Sequence, residues 1–218
     1  MNTIKHQIRS FAGAAVLAAL VVSAPAAMVA TAPAAQAQSG DLAQAVAALR
    51  EISTMRANFV QIDRNGKRVG GVMTLKRPGR IRFQYEKGIP FLIVSDGKAF
   101  TFVDYQVRQV QRWPISNSPL GALLDPKRDV MRYGRLAPVS SPNLVSVEVR
   151  DKGHPEFGVI TLVFVRKASA PGGLELTSWA ALDSQNTLTR VNLSNHQYGL
   201  AVPDNTFRFN DPRGTTRR

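Results

Sequence analysis

Met73-Thr74-Leu75-Lys76-Arg77-Pro78-Gly79-Arg80-Ile81-Arg82-Phe83-Gln84-Tyr85, followed by Ile93-Val94-Ser95-Asp96-Gly97-Lys98 and Phe100-Thr101-Phe102, is the stretch that decides the fold. Side chains of a strand alternate between two faces. Here Ile81, Phe83 and Tyr85 share one face while Arg80, Arg82 and Gln84 share the other. Phe100 and Phe102 repeat the pattern, and Lys76-Arg77-Pro78-Gly79 and Asp96-Gly97 supply the turns between. Neighbouring strands that are apolar on one side and basic or polar on the other build a sheet with a greasy concave surface.

On the N-terminal side, Met55, Ala57 and Phe59 alternate with Arg56 and Asn58, and that strand runs to Asn65-Gly66, a strong hairpin signal. The return strand passes through Val69, Gly71, Met73 and Leu75. Asp63-Arg64-Asn65-Gly66 imitates the start of a calcium loop, but the later ligands and terminal Glu are missing, so it reads as a turn. Before these strands, Leu42, Ala45, Val46, Leu49 and Ile52 recur at helical spacing, with Asp41 expected as the cap.

On the C-terminal side, strands are expected at Phe91 to Val94 and at Val107 to Arg112, with Trp113-Pro114 ending the run. Asn117 to Asp125 reads as a short helix with a polar cap and early Pro119, stopped by Pro126, and Asp129 to Tyr133 as another. Further strands are expected at Leu144 to Arg150, Gly158 to Arg166, Leu174 to Leu182 and Leu188 to Tyr198, before Pro203 to Phe209 closes the chain. Gly70-Gly71 and Gly172-Gly173 are expected to mark bulges or bends.

Lys5, His6 and Arg9, the apolar run Phe11 to Val22 and Ala35-Gln36-Ala37 have the order of a cleaved export signal. Residues 1–37 are therefore expected to be a leader and residues 38–218 one exported domain, acting as a monomer in the periplasm. The chain has no Cys, which excludes disulfides and a lipidated cysteine. Beyond residue 37 there are 26 basic against 15 acidic residues, about +11. An exported chain with basic residues dispersed along strands points to a solvated outer face first and an anionic partner second, and away from nucleic acid.

So many antiparallel strands must curl. The expected fold is mainly β with α, a single curved antiparallel sheet forming an incomplete barrel with a helical lid. Only two short helical segments are available to cover aromatic inner faces, so an apolar cavity is expected, lined by Phe59, Met73, Leu75, Ile81, Phe83, Tyr85, Phe91, Phe100, Phe102, Leu120, Leu123 and Leu124. Catalysis finds no support. His154 and His196 lie far apart with no Cys and no acidic cluster beside them, so neither metal nor cofactor is expected. Asp183, Ser184 and His196 form only a nominal triad, without a nucleophile elbow.

Phe59-Val60-Gln61, Lys76-Arg77-Pro78-Gly79-Arg80, Phe83 with Tyr85, Val94-Ser95-Asp96-Gly97 and the closing Pro203-Asp204-Asn205-Thr206-Phe207-Arg208-Phe209 together resemble periplasmic outer-membrane lipoprotein carriers of the LolA type. The resemblance implies a half-open barrel whose interior holds lipoprotein acyl chains. It also implies an inner-membrane ABC transporter complex as donor and an outer-membrane receptor as possible acceptor. By position, Arg77 matches the residue that closes the lid and Ile81 an interior residue. The chain differs from the best-known members in ending soon after Phe209. A free-lipid carrier and a lipid-sensing regulatory module on the same fold are the alternatives.

Overall fold

The computed structural model describes residues 34–124 and 129–214. The expected leader up to residue 33, the expected helix stop at Pro126, and the tail residues Arg217 and Arg218 lie outside the described residues. Helix α1, Ala34–Glu51, runs through the expected leader boundary at residue 38. Asp41 is not its cap: it lies inside the helix, and its carboxylate accepts from Arg166 Nη2 at 2.6 Å. The anticipated stripe is real, with Ala45, Val46, Leu49 and Ile52 buried.

Among the described residues, eleven strands form one antiparallel sheet in two meanders. The first contains β1 (Thr54–Ile62), β2 (Arg68–Lys76), β3 (Arg80–Tyr85), β4 (Phe91–Asp96), β5 (Ala99–Asp104) and β6 (Gln109–Pro114). The second contains β7 (Gly134–Leu136), β8 (Leu144–Arg150), β9 (Val159–Arg166), β10 (Leu174–Leu182) and β11 (Leu188–Tyr198). Pairing of β1 with β11 joins them in mid-sheet, leaving β6 and β7 as the two edges. The segment from Ile115 to Tyr133 leads from one edge to the other and carries α2 (Gly121–Leu124) and α3 (Val130–Tyr133), the latter capped by Asp129 accepting from the Arg132 amide.

Three expectations are corrected. Trp113 and Pro114 belong to β6 rather than ending it, because they pair with Phe100 and Ala99. Strand β7, only three residues long, was not anticipated; so short a strand has no period to read. Gly70 and Gly71 are not a bulge: they sit in unbroken register opposite Val60 and Phe59. A β-carbon on Gly71 would lie 2.8 Å from the Phe59 ring, so the missing side chain makes room for that ring.

The two hairpin tips at one end of the sheet use the same turn chemistry. Asp63 Oδ1 accepts from the amides of Asn65 and Lys67, and Asp183 Oδ1 accepts from those of Gln185 and Thr187.

The main core lies between the inner faces of the strands and α1 with the crossing segment. A second, smaller core lies on the opposite face, where Leu92, Val94 and Val103 pack with Phe207 and the partly buried Val202 and Phe209. The last described segment is held there by cations of β2 and β3. Lys76 Nζ donates to Val202 O at 2.7 Å and Asp204 Oδ1 at 2.6 Å, Arg80 pairs with Asp204 at 2.6 Å, and Arg82 Nη1 donates to Thr206 O and Arg208 O at 3.2 and 2.9 Å. The outer basic face read as solvated is thus partly a clasp for the chain's own C-terminal segment.

Candidate functional site: an apolar cavity and its tie

A cavity of about 320 Å³ opens on the inner face. Strand alternation brings Phe83, Ile93, Phe100, Trp113, Trp179 and Val191 to its walls, and the crossing segment contributes Asn117 through Leu120. Its volume is at the small end of the range for ligand pockets.

Of the twelve residues expected to line it, Phe83, Phe100 and Leu120 do so. Phe59, Met73, Leu75, Ile81, Tyr85, Leu123 and Leu124 are instead packed into the main core. Phe91 and Phe102 lean on each other with ring centroids 5.5 Å apart, outside the cavity wall. The Phe59 ring meets Phe83 and Tyr85 edge-on, both at 5.2 Å, so one wall of the cavity rests on a rigid aromatic stack.

Trp179, Ile93, Trp113 and Val191 were missed as lining residues, although Trp179, Ile93 and Val191 sit in strands whose positions were anticipated; Trp113 lies just past the expected end of its strand at Arg112. For Trp179 the obstacle is a register shift between Leu176 and Ser178, which moves the inward face by one residue. Gln61 was missed because a polar side chain at an inward position reads as a strand end.

Arg77 occupies the turn between β2 and β3 and reaches over the rim. Its Nε donates to Ile52 O, just past α1, at 3.1 Å, and its Nη2 donates to Leu123 O in α2 at 3.0 Å. One guanidinium therefore ties both covering segments to the sheet. Burial pulls its pKa down from the ordinary arginine value. Arginine lies so far above neutrality that the charge is kept, and the fork strengthens both bonds.

From the core behind the wall, the Tyr85 hydroxyl donates to Oε1 of the cavity-lining Gln61 at 2.7 Å. Burial pushes the Tyr85 phenol up to about 12, so it remains a donor through neutral pH. The nominal triad is not assembled. Asp183 and Ser184 lie at the β10–β11 tip, while His196, near the far end of β11, uses Nε2 on Leu176 O at 2.8 Å. Among the described residues no group of three His, Cys, Asp or Glu side chains could hold a metal, and no helix is long and apolar enough to cross a membrane.

The chain is 28% identical over 177 residues to an outer-membrane lipoprotein carrier protein of Dechloromonas aromatica, covering 76% of this chain and 81% of that one. It is 30% identical over 183 residues to the protein of the same name in Chromobacterium violaceum, covering 78% and 85%. Among solved structures, an uncharacterised conserved protein from Thermus thermophilus aligns with a TM-score of 0.49 at 12% identity, over 82% of this chain and 99% of that one, a likeness too distant to add to the assignment. The family model described as outer membrane lipoprotein carrier protein LolA matches residues 50–210, which contain every strand of the sheet but only the last two residues of α1, and the chain belongs to that family.

Proposed function

We propose that this chain is a periplasmic chaperone that takes up lipoprotein acyl chains beneath α1 and α2 and carries them from the inner to the outer membrane. The observation that carries the reading is the Arg77 tie, which fastens the end of α1 and α2 to the sheet over its apolar inner face. It gives the molecule a closed empty state that opening must break.

Magnitudes support a shuttle. Two charge-assisted hydrogen bonds contribute about 1.5–3 kcal/mol each. Burying an acyl methylene returns about 0.8 kcal/mol. Roughly four to eight methylenes thus offset the tie, fewer than one lipoprotein acyl chain carries. Cargo can open the carrier, and reclosure on the empty core favours its release. Filling of the inner face by Phe59, Met73, Leu75 and Ile81 acts in the same direction, because a loaded cavity must displace part of this packing.

The donor in this scheme is an inner-membrane lipoprotein-releasing ABC transporter complex and the acceptor lies at the outer membrane, with or without a separate receptor. Native mass spectrometry of the protein recovered from its host's envelope tests the reading. A co-purifying acylated lipoprotein is expected. Recovery with free lipid alone would overturn it in favour of a lipid shuttle or lipid-sensing module.

A further inference from the structure

Gln61 is the polar exception on an apolar face. It follows Phe59 by two residues in β1, so strand alternation sends both to the inner side, and it lines the cavity. The Tyr85 hydroxyl occupies its Oε1 at 2.7 Å and thereby fixes the rotation of the amide. That leaves Nε2, which carries two N–H donors. No protein acceptor for it is found among the described residues, yet it is not sealed in the protein: the one sealed polar side-chain atom there without a partner is the Tyr198 hydroxyl. Gln61 therefore lines the cavity with an amide nitrogen that is neither paired nor sealed.

Its surroundings make this end of the cavity different from the rest. Gln61 pairs with Val191, which places Thr189 on the same face one diagonal step further along β11. Thr187 and Thr189 also line the cavity, below the β10–β11 tip. Asp183 stands there too; its Oδ1 is engaged by turn amides and its Oδ2 is an acceptor, so the donors this end offers a cargo carbonyl are the Gln61 amide and the threonine hydroxyls. The other end is walled by Phe83, Phe100 and Trp113. An acyl chain has nothing to offer an amide donor, whereas the ester or amide carbonyls where chains join their headgroup do.

Building on the carrier reading, we infer that the hairpin-tip end of the cavity is a polar subsite for the carbonyl groups at the acyl junction of the cargo, with the Gln61 amide as principal donor and Thr189 beside it. The chains then point toward Phe83 and Phe100, and the rest of the cargo leaves between the β1–β2 and β10–β11 tips. Gln61 is a specificity residue in this scheme: it distinguishes acylated from merely alkylated ligands.

The test uses the full chain and two synthetic probes, a cysteinyl lipopeptide bearing two ester-linked chains on its glyceryl group and its dialkyl-ether analogue of equal length. Affinities are read by displacement of a fluorescent fatty acid. The wild type is expected to prefer the ester roughly threefold to tenfold, the value of a neutral hydrogen bond. Gln61→Leu is expected to lower ester affinity to the ether level while ether affinity stays unchanged, which also shows that the variant is folded. Thr189→Val is expected to give a smaller drop of the same kind. Equal binding of both probes by the wild type, or an ester preference that survives in Gln61→Leu, overturns the subsite and leaves the carrier reading standing. Failure of the wild type to bind either probe overturns the carrier reading and the subsite together.

Discussion

In the proposed carrier, Arg77 is the one side chain that sets the balance between closed and open states. The Lys-Arg-Pro-Gly turn was legible as a turn, and the family resemblance singled out its arginine, but neither gave the acceptors. Ile52 O and Leu123 O lie 25 and 46 residues away in the chain, at separations no local pattern encodes. Arg77→Leu is expected to remain folded, with an unchanged cooperative melt, and to bind a fluorescent acyl probe tenfold or more tightly, because the closed state no longer competes with it; tenfold corresponds to about 1.4 kcal/mol, less than the two lost bonds supply. Release to acceptor membranes should slow correspondingly, and unaltered binding and release would remove the tie from the mechanism. A second residue-scale effect concerns Tyr198, whose hydroxyl is buried with no hydrogen-bond partner among the described residues. Burial, with Glu175 nearby, pushes its phenol up to about 12. Tyr198→Phe removes an unsatisfied polar atom and keeps the ring, so urea denaturation should show a gain of about 1 kcal/mol.

Elements were the most legible level. Strands β8, β10 and β11 begin and end where the sequence pattern places them, because each is bounded by Pro, Gly, Asn or Asp and alternates between. The outer face was misread for a physical reason: Lys76, Arg80 and Arg82 look like solvated charges until a segment about 125 residues later lies across them. That segment gives β4 and β5 apolar packing on both faces, and Phe207, 7% exposed, is its anchor. Phe207→Ala is expected to cost about 3 kcal/mol in urea denaturation, in line with truncation of a buried ring. Acyl-probe affinity should be unaffected, since the cavity lies on the other face. A parallel loss of binding would show that the clasp and the cavity are coupled.

At the scale of the whole molecule, the curved sheet with helical cover could be read from the sequence, whereas the cavity wall could not. Every inward apolar residue is equivalent until it is known where the Ile115–Tyr133 crossing presses on the sheet. Phe83, Phe100 and Leu120 border the space it leaves, and Phe59, Met73 and Leu75 lie in filled core. The buried phenols also give the molecule a pH limit. With Tyr85 at about 12 in the folded state and near 10 when unfolded, its contribution is complete below pH 10 and is lost as pH rises toward 12. That loss is about 2–3 kcal/mol for two pH units. Urea midpoints between pH 8 and 12 should fall mainly above pH 10, and more shallowly in Tyr85→Phe. The pairing of β1 with β11 carries a different consequence, one of timing. Val60 meets Asn192 only when roughly 130 further residues have emerged, a separation typical of slow, non-local folding. Until then one edge of β1 is a bare ladder of donors and acceptors, open to capture by any other nascent strand. Synthesis runs from the N-terminus, so β1 waits through that interval with an unpaired edge, and shielding that edge is the demand this seam makes on the folding chain.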